Sequence, residues 1–148
     1  MRPGAQMAVA TLKARGTPVE ILSGDDEDNV GMIAASLGVS WHAGVSPAGK
    51  VAHLAALASK GTRVLMVGDG LNDTPALAAA HVSMATAAAA DIGRNAADIV
   101  FLRDDLAAVP QAIEIARAAR SLVHQNLVLA VVYNLLAVPI AIAGFVTP

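Results

Sequence analysis

All ten Lys+Arg and all twelve Asp+Glu residues of this chain lie at or before Arg120, and the twenty-eight residues that follow carry no formal charge. Within that tail, residues 127–146 are a run of twenty whose only clear polar breaks are Tyr133 and Asn134. As a helix rising about 1.5 Å per residue, the run spans about 30 Å, the thickness of a bilayer's hydrocarbon core. The competing explanation is a buried core helix. That requires enough surrounding protein to cover a helix apolar on every face, and residues 1–120 are too few. A transmembrane helix is therefore expected. Arg117 and Arg120 precede it and nothing basic follows, so the positive-inside rule places residues 1–120 in the cytoplasm, beneath the cell (inner/plasma) membrane. The start of the chain, residues 1–11, lacks the long apolar stretch of a signal peptide. No Gly/Ser linker separates 1–120 from 121–148. The spacing of Ile113, Ala116, Arg117 and Arg120 predicts one helix running from about residue 106 straight into the bilayer.

The first 120 residues alternate between two periodicities. Residues 5–15 have helical spacing and end at Gly16, and residues 18–22 (PVEIL) form a short β-prone run stopped by Ser23-Gly24-Asp25. Residues 26–37 open with an acidic first turn, suited to the helix dipole, and end at Gly38. A strand at 39–42 and a helix over 47–60 with proline in its first turn come next. The apolar run 63–67 (RVLMV) lies between glycines at 61 and 68. A helix over 73–80 and strands at 81–84 and 98–102 complete the series. Short strands alternating with helices predict an α/β fold with a parallel sheet.

Composition narrows the chemistry. Alanine fills 33 positions and aromatic residues only 3%, so the core must be small and aliphatic. The net charge of −2 supplies no basic field for nucleic acid, and the absence of cysteine excludes disulfides, thiolate metal sites and a Cys nucleophile.

Open α/β sheets place their sites at the carboxyl ends of strands, and three such loops stand out. After 63–67 comes Gly68-Asp69-Gly70-Leu71-Asn72-Asp73-Thr74-Pro75, an oxygen-rich loop with carboxylates at 69 and 73. Hard oxygen donors of this kind suit magnesium, and Gly68 and Gly70 let backbone and ion approach closely. The bland alternative is a strand–turn–helix connection in which Asp73 only caps the helix. In the second loop, Ser23 offers a hydroxyl, with Asp25 beside it, where backbone N–H groups at a helix start can hold a phosphoryl group. The same Ser-Gly-Asp string also suits an ordinary capped turn. Lys50, in the first turn of its helix, opposes the helix dipole and is better placed for a ligand than for the helix. Its alternative is a solvated surface lysine.

GDGLNDTPAL at 68–77 resembles the G-D-G-x-N-D-x-P-A-L signature of P-type ATPases, within the haloacid-dehalogenase-like (Rossmann-like) fold. Ser23-Gly24-Asp25 is similar to their T-G-D loop, with Ser retaining the hydroxyl, and Pro47 to Lys50 is similar to their lysine segment. Tyr133-Asn134 resembles the Y-N pair of the heavy-metal, copper-transporting subclass, the pumps associated with nitrogen fixation and cytochrome oxidase assembly. The likeness implies a phosphorylation domain over 1–120 and a transmembrane helix over 121–148. It implies magnesium at Asp69, with Asn72 and Asp73 positioning waters and phosphoryl oxygens, and Gly68 and Gly70 shaping the loop. Ser23 and Lys50 would contact the phosphoryl group from ATP, and Asp25 would orient its loop. Tyr133 and Asn134 would serve the path of transported copper(I).

The family's nucleophile lies in D-K-T-G-T, and that string is absent from this sequence. The resemblance therefore implies a C-terminal piece of a pump, inactive alone, whose partners are the membrane, the metal ion and the remainder of the pump. It implies an incomplete parallel sheet, because the nucleophile strand lies in the family between the strands here at 18–22 and 63–67. Those two must pair with each other or leave edges open. A soluble phosphatase of the same fold and a non-catalytic membrane module remain alternatives, as do zinc or potassium as cargo.

Overall fold

The computed structural model describes residues 1–69, 72–86 and 96–143. In chain order the elements are α1 (Ala5–Ala14), β1 (Glu20–Leu22), α2 (Glu27–Leu37), β2 (Ser40–His42), α3 (Pro47–Ser59), β3 (Leu65–Gly68), α4 (Thr74–Ala79), β4 (Val82–Thr86), β5 (Ile99–Phe101) and α5 (Ala108–Ile142). Each strand and helix expected from the sequence is present. The strands are shorter at their starts because the helix ends before them still hold the chain. Thr62 N donates to Leu57 O at 3.1 Å, so the backbone after α3 turns before it extends. Gly68, expected as a boundary, is instead the last residue of β3, in register with Ala85.

All pairing is parallel, but it falls into two ladders. β1 pairs with β2, aligning Leu22 with His42, and β3–β4–β5 form a separate three-stranded sheet. Among the described residues β1 and β3 share no ladder. Of the two outcomes expected for these strands, the open edges are the one observed.

The compact unit Met1–Pro110 holds its core where α3 and α4 cover the three-stranded sheet. Leu54 of α3, Met66 of β3, Ala76 and Leu77 of α4 and Ala85 of β4 form the buried cluster. β4 is buried from Ser83 to Thr86 on both faces, as a central parallel strand must be. Ser83 would be an expensive polar group there. Its N–H and hydroxyl both donate to Asp98 Oδ2, at 2.8 and 2.9 Å, and its Oγ accepts from Asp98 N at 3.1 Å. The ladder thus begins at the fork between β4 and β5. In the other sheet, α2 lies against β2 through Gly31, where a Cβ would come 3.3 Å from the Trp41 ring.

The second unit, Gln111–Pro148, is described by its helix alone. α5 runs unbroken for 35 residues, through Pro139, with an 18-residue window of mean hydropathy 1.8 that is not buried at all. By length and composition it suffices to cross a membrane. Residues 144–146, the end of the expected span, lie outside the described residues.

Asp26 caps α2, its carboxylate accepting from Asn29 N at 3.0 Å and from the Asn29 amide at 2.5 Å. The backbone N–H of Asn29, then its side chain, holds the Asp26 carboxyl below the usual carboxylate range. A lowered folded value contributes stability above the unfolded value and loses it as pH falls through the folded one. Asp26→Ala should therefore lower the thermal midpoint at neutral pH, with the gap between variant and parent closing as the pH is taken below the carboxylate range. A gap independent of pH would show that the charge contributes nothing.

Candidate functional site

The loops at the carboxyl ends of the strands are tied to one another by backbone. Ser23 N donates to His42 O at 3.0 Å, Val45 N to Ser23 O at 2.9 Å, and Gly44 N to Asp25 O at 2.9 Å. The loop after β1 is thus fixed to the loop after β2. The next residue, Ser46, caps α3: its Oγ accepts from Gly49 N at 3.1 Å, and Pro47 follows in the first turn. That cap sets the direction in which Lys50 leaves the helix.

Lys50 is directed inward. Its Nζ donates to Asp73 Oδ1 at 2.5 Å, with the two side chains only 9% and 15% exposed. A lysine sealed from water requires a carboxylate, and this is the one supplied. The geometry discards the solvated surface lysine. It also discards the bland view of Asp73, which precedes α4 yet makes no side-chain capping bond to it. Gly68 is what admits the carboxylate, because a Cβ there would lie 3.0 Å from both Asp73 Cβ and Oδ2. The group that lies closest to this glycine is the Asp73 side chain. Gly70 lies outside the described residues.

Asp69 differs from Asp73 in both exposure and compensation. Its side chain is 60% exposed, and the Arg2 guanidinium stands 3.7 Å from Oδ2 while donating to Asp104 Oδ1 at 2.6 Å. Asp73 is committed to Lys50, so Asp69 is the carboxylate of the loop with donor capacity to spare. With the exposed Asn72 amide nearby in sequence, this all-oxygen donor set fits magnesium, which keeps several waters and takes one or two carboxylates. Ser23 Oγ donates to Asp25 Oδ2 at 3.1 Å and accepts from Asp25 N at 3.2 Å, so the pair forms a closed local turn. Tyr133 and Asn134 lie on α5 in the other unit, both exposed.

The structure therefore joins Lys50 to Asp73 and Ser23 to Asp25, and links the loops that carry them through Val45 and Ser46. Sequence reasoning did not find Arg2. A single arginine next to the start of the chain, outside any motif, gives no signal of reaching residues 69 and 104.

Three comparisons place this geometry. The family description haloacid dehalogenase-like hydrolase matches residues 1–81. Nitrogen fixation protein FixI of Bradyrhizobium diazoefficiens is 54% identical over 149 residues, covering 100% of this chain and 20% of that protein. Copper-transporting ATPase 2 of Rattus norvegicus is 40% identical over 146 residues, covering 98% of this chain and 10% of its own length. Among solved structures, a zinc-transporting PIB-type ATPase in its E2.Pi state superposes with a TM-score of 0.92 at 32% identity, covering 99% of this chain and 24% of that one. The chain spans about a fifth of the length of the FixI relative. The likeness to P-type ATPases read from the ten-residue string, and to their heavy-metal subclass read from Tyr133-Asn134, stands, and so does the α/β fold with a long apolar helix after it.

Removing one partner of a buried pair leaves the other charge stranded. Lys50→Met should destabilise the chain by about 3 kcal/mol or more in denaturant titrations, and Lys50→Met/Asp73→Asn should recover part of that loss. A double variant whose loss equals the sum of those of Lys50→Met and of Asp73→Asn alone would mean that the pair is not coupled.

Proposed function

This chain belongs to the haloacid dehalogenase-like hydrolase family, and we propose that it is part of an ATP-driven heavy-metal P-type ATPase, supplying the magnesium and phosphoryl loop of a copper(I) pump. The observation that carries this reading is the buried Lys50–Asp73 pair, which fixes a lysine ammonium at the loop whose other carboxylate, Asp69, is exposed and only loosely paired with Arg2. Phosphoryl transfer needs little covalent chemistry from the protein and much preorganised charge. A cation held in place by a carboxylate has no reorganisation to make when a phosphoryl group arrives.

On this reading the parts divide as follows. Lys50 directs positive charge at the phosphoryl oxygens, and Asp73 keeps the ammonium in position against the unfavourable dipole of α3. Ser23 donates its hydroxyl to the phosphoryl group in place of Asp25, which returns the loop to its closed turn afterwards. Asp69, with Asn72, would hold magnesium, which when bound neutralises charge on the transferring group. The nucleophile would be an aspartate outside this sequence, since D-K-T-G-T is absent here. Its strand would fill the space between the open edges of β1 and β3, in the remainder of the pump. Residues 1–120 would form the cytoplasmic phosphorylation domain, and 121–148 a helix in the cell membrane.

Two measurements test this. Asp69→Asn should abolish magnesium binding measured by calorimetry with a phosphate mimic present, and because Asp69 is exposed the variant should fold normally. Equal magnesium affinity in variant and parent would sink the assignment. For the cargo, Tyr133 and Asn134 are adjacent, so their side chains point about 100° apart on α5 and address different neighbours. In the full-length pump, Asn134→Ala and Tyr133→Phe should lower copper(I) binding while leaving folding intact. Parental copper(I) stoichiometry in both folded variants would make the pair structural.

A further inference from the structure

Three side chains outside the loops converge on one point. Glu20 and His42 lie on the same face of the two-stranded sheet, because Leu22, two residues after Glu20, is aligned with His42. His53 reaches them from α3, one turn beyond Lys50 on the same side of the helix. Both imidazole Nε2 atoms stand 3.0 Å from the same Glu20 Oε1. The ring centroids are 5.0 Å apart with the planes inclined at 57°. His53 Nε2 is sealed from solvent and forms no aligned hydrogen bond, in spite of that distance.

We propose that Glu20, His42 and His53 form a binding site for a borderline divalent transition ion, zinc(II) in the first instance, that fastens β1, β2 and α3 together. Two imidazole nitrogens and a carboxylate oxygen are ligands of this class, and three of them leave a fourth position for water. Nitrogen and oxygen ligands bound at about 2.0–2.1 Å in a tetrahedral site lie roughly 3.3 Å from one another, with ring centroids about 5 Å apart. The three ligand atoms here lie within 4.8 Å of one another, so small rotamer adjustments bring them to that geometry. An ion also gives the sealed His53 nitrogen the partner it lacks. The donor set favours zinc over the two metals proposed above. Magnesium avoids imidazole, and copper(I) prefers soft sulfur, which this cluster does not offer. The half-exposed His42 leaves an entry path. The site is independent of the proposed pump chemistry, because none of its three residues belongs to the phosphoryl loops.

The test uses the full chain in detergent and zinc chloride. Calorimetry should give one zinc per chain that depends on this cluster, and cobalt(II) in its place should give the visible absorption of a tetrahedral site. Zinc should also raise the thermal midpoint, since it binds the folded state alone. The His53 Nε2 atom is sealed, so the half-exposed His42→Ala and the near-isosteric Glu20→Gln carry the test. Each should weaken zinc binding on the order of tenfold or more, while Asp69→Asn should leave it unchanged. Failure of the parent chain to bind zinc would overturn the site. So would undiminished affinity in both His42→Ala and Glu20→Gln, or loss of the zinc in Asp69→Asn instead.

Discussion

A lysine buried in a protein interior without a carboxylate against it is costly, and the docking of α3 goes with where Lys50 finds one. Its partner, Asp73, lies 23 residues further on, beyond β3 and in the loop before α4. The two sheets share no ladder among the described residues, and α3 touches both, through His53 at Glu20 of one and through Leu54 at Met66 of the other. One turn after Lys50, Leu54 joins Met66, Ala76, Leu77 and Ala85 in the core. The same helix thus delivers an apolar face and a charge to the three-stranded sheet. A 2.5 Å ion pair shielded from water sets the register of α3 against the loop of β3.

That constraint also explains the division of labour between two carboxylates that look equivalent in the string 68–77. Asp73 is compensated, shielded and immobile, whereas Asp69 is exposed and only loosely accompanied by Arg2. A cation arriving at the loop meets one oxygen donor group already neutralised and one still available. The residue that admits this asymmetry is Gly68, since a Cβ there would crowd Asp73 and require it to shift by a few tenths of an ångström.

The sequence made the alternation of strands and helices legible because each helix is punctuated by local chemistry. Gly38, for example, takes the left-handed conformation at φ 61° and lets Val39 N reach back to Ala34 O at 3.1 Å. The ten-residue string likewise marked the site, since it encodes residue types at fixed spacing. What it did not encode is pairing across the fold. Whether Asp73 caps α4 or meets Lys50 depends on how α3 docks, which no local pattern records. The Ser83–Asp98 clasp and the contact from Arg2 to Asp69 were hidden for the same reason. So was the meeting of Glu20, His42 and His53, which needs the β1–β2 register and the docking of α3 together. Strand starts were misplaced by a residue or two because hydrogen bonds closing the preceding helix compete with the ladder for the same backbone.

Two surfaces share one physical feature. From Leu127 on, α5 exposes apolar side chains on every side, and among the described residues β1 and β3 each carry a backbone edge without a strand beside it. In water the first costs apolar hydration and the second invites unwanted pairing. Lipid relieves the helix without any specific contact, because its requirement is only that water be absent. The edges are more demanding, since each unpaired N–H and C=O needs a partner at one position and in one direction. A strand running parallel between β1 and β3 would meet that need. It would also bring its carboxyl end to the loops that hold Ser23 and Asp69, where the proposed phosphoryl chemistry requires its nucleophile.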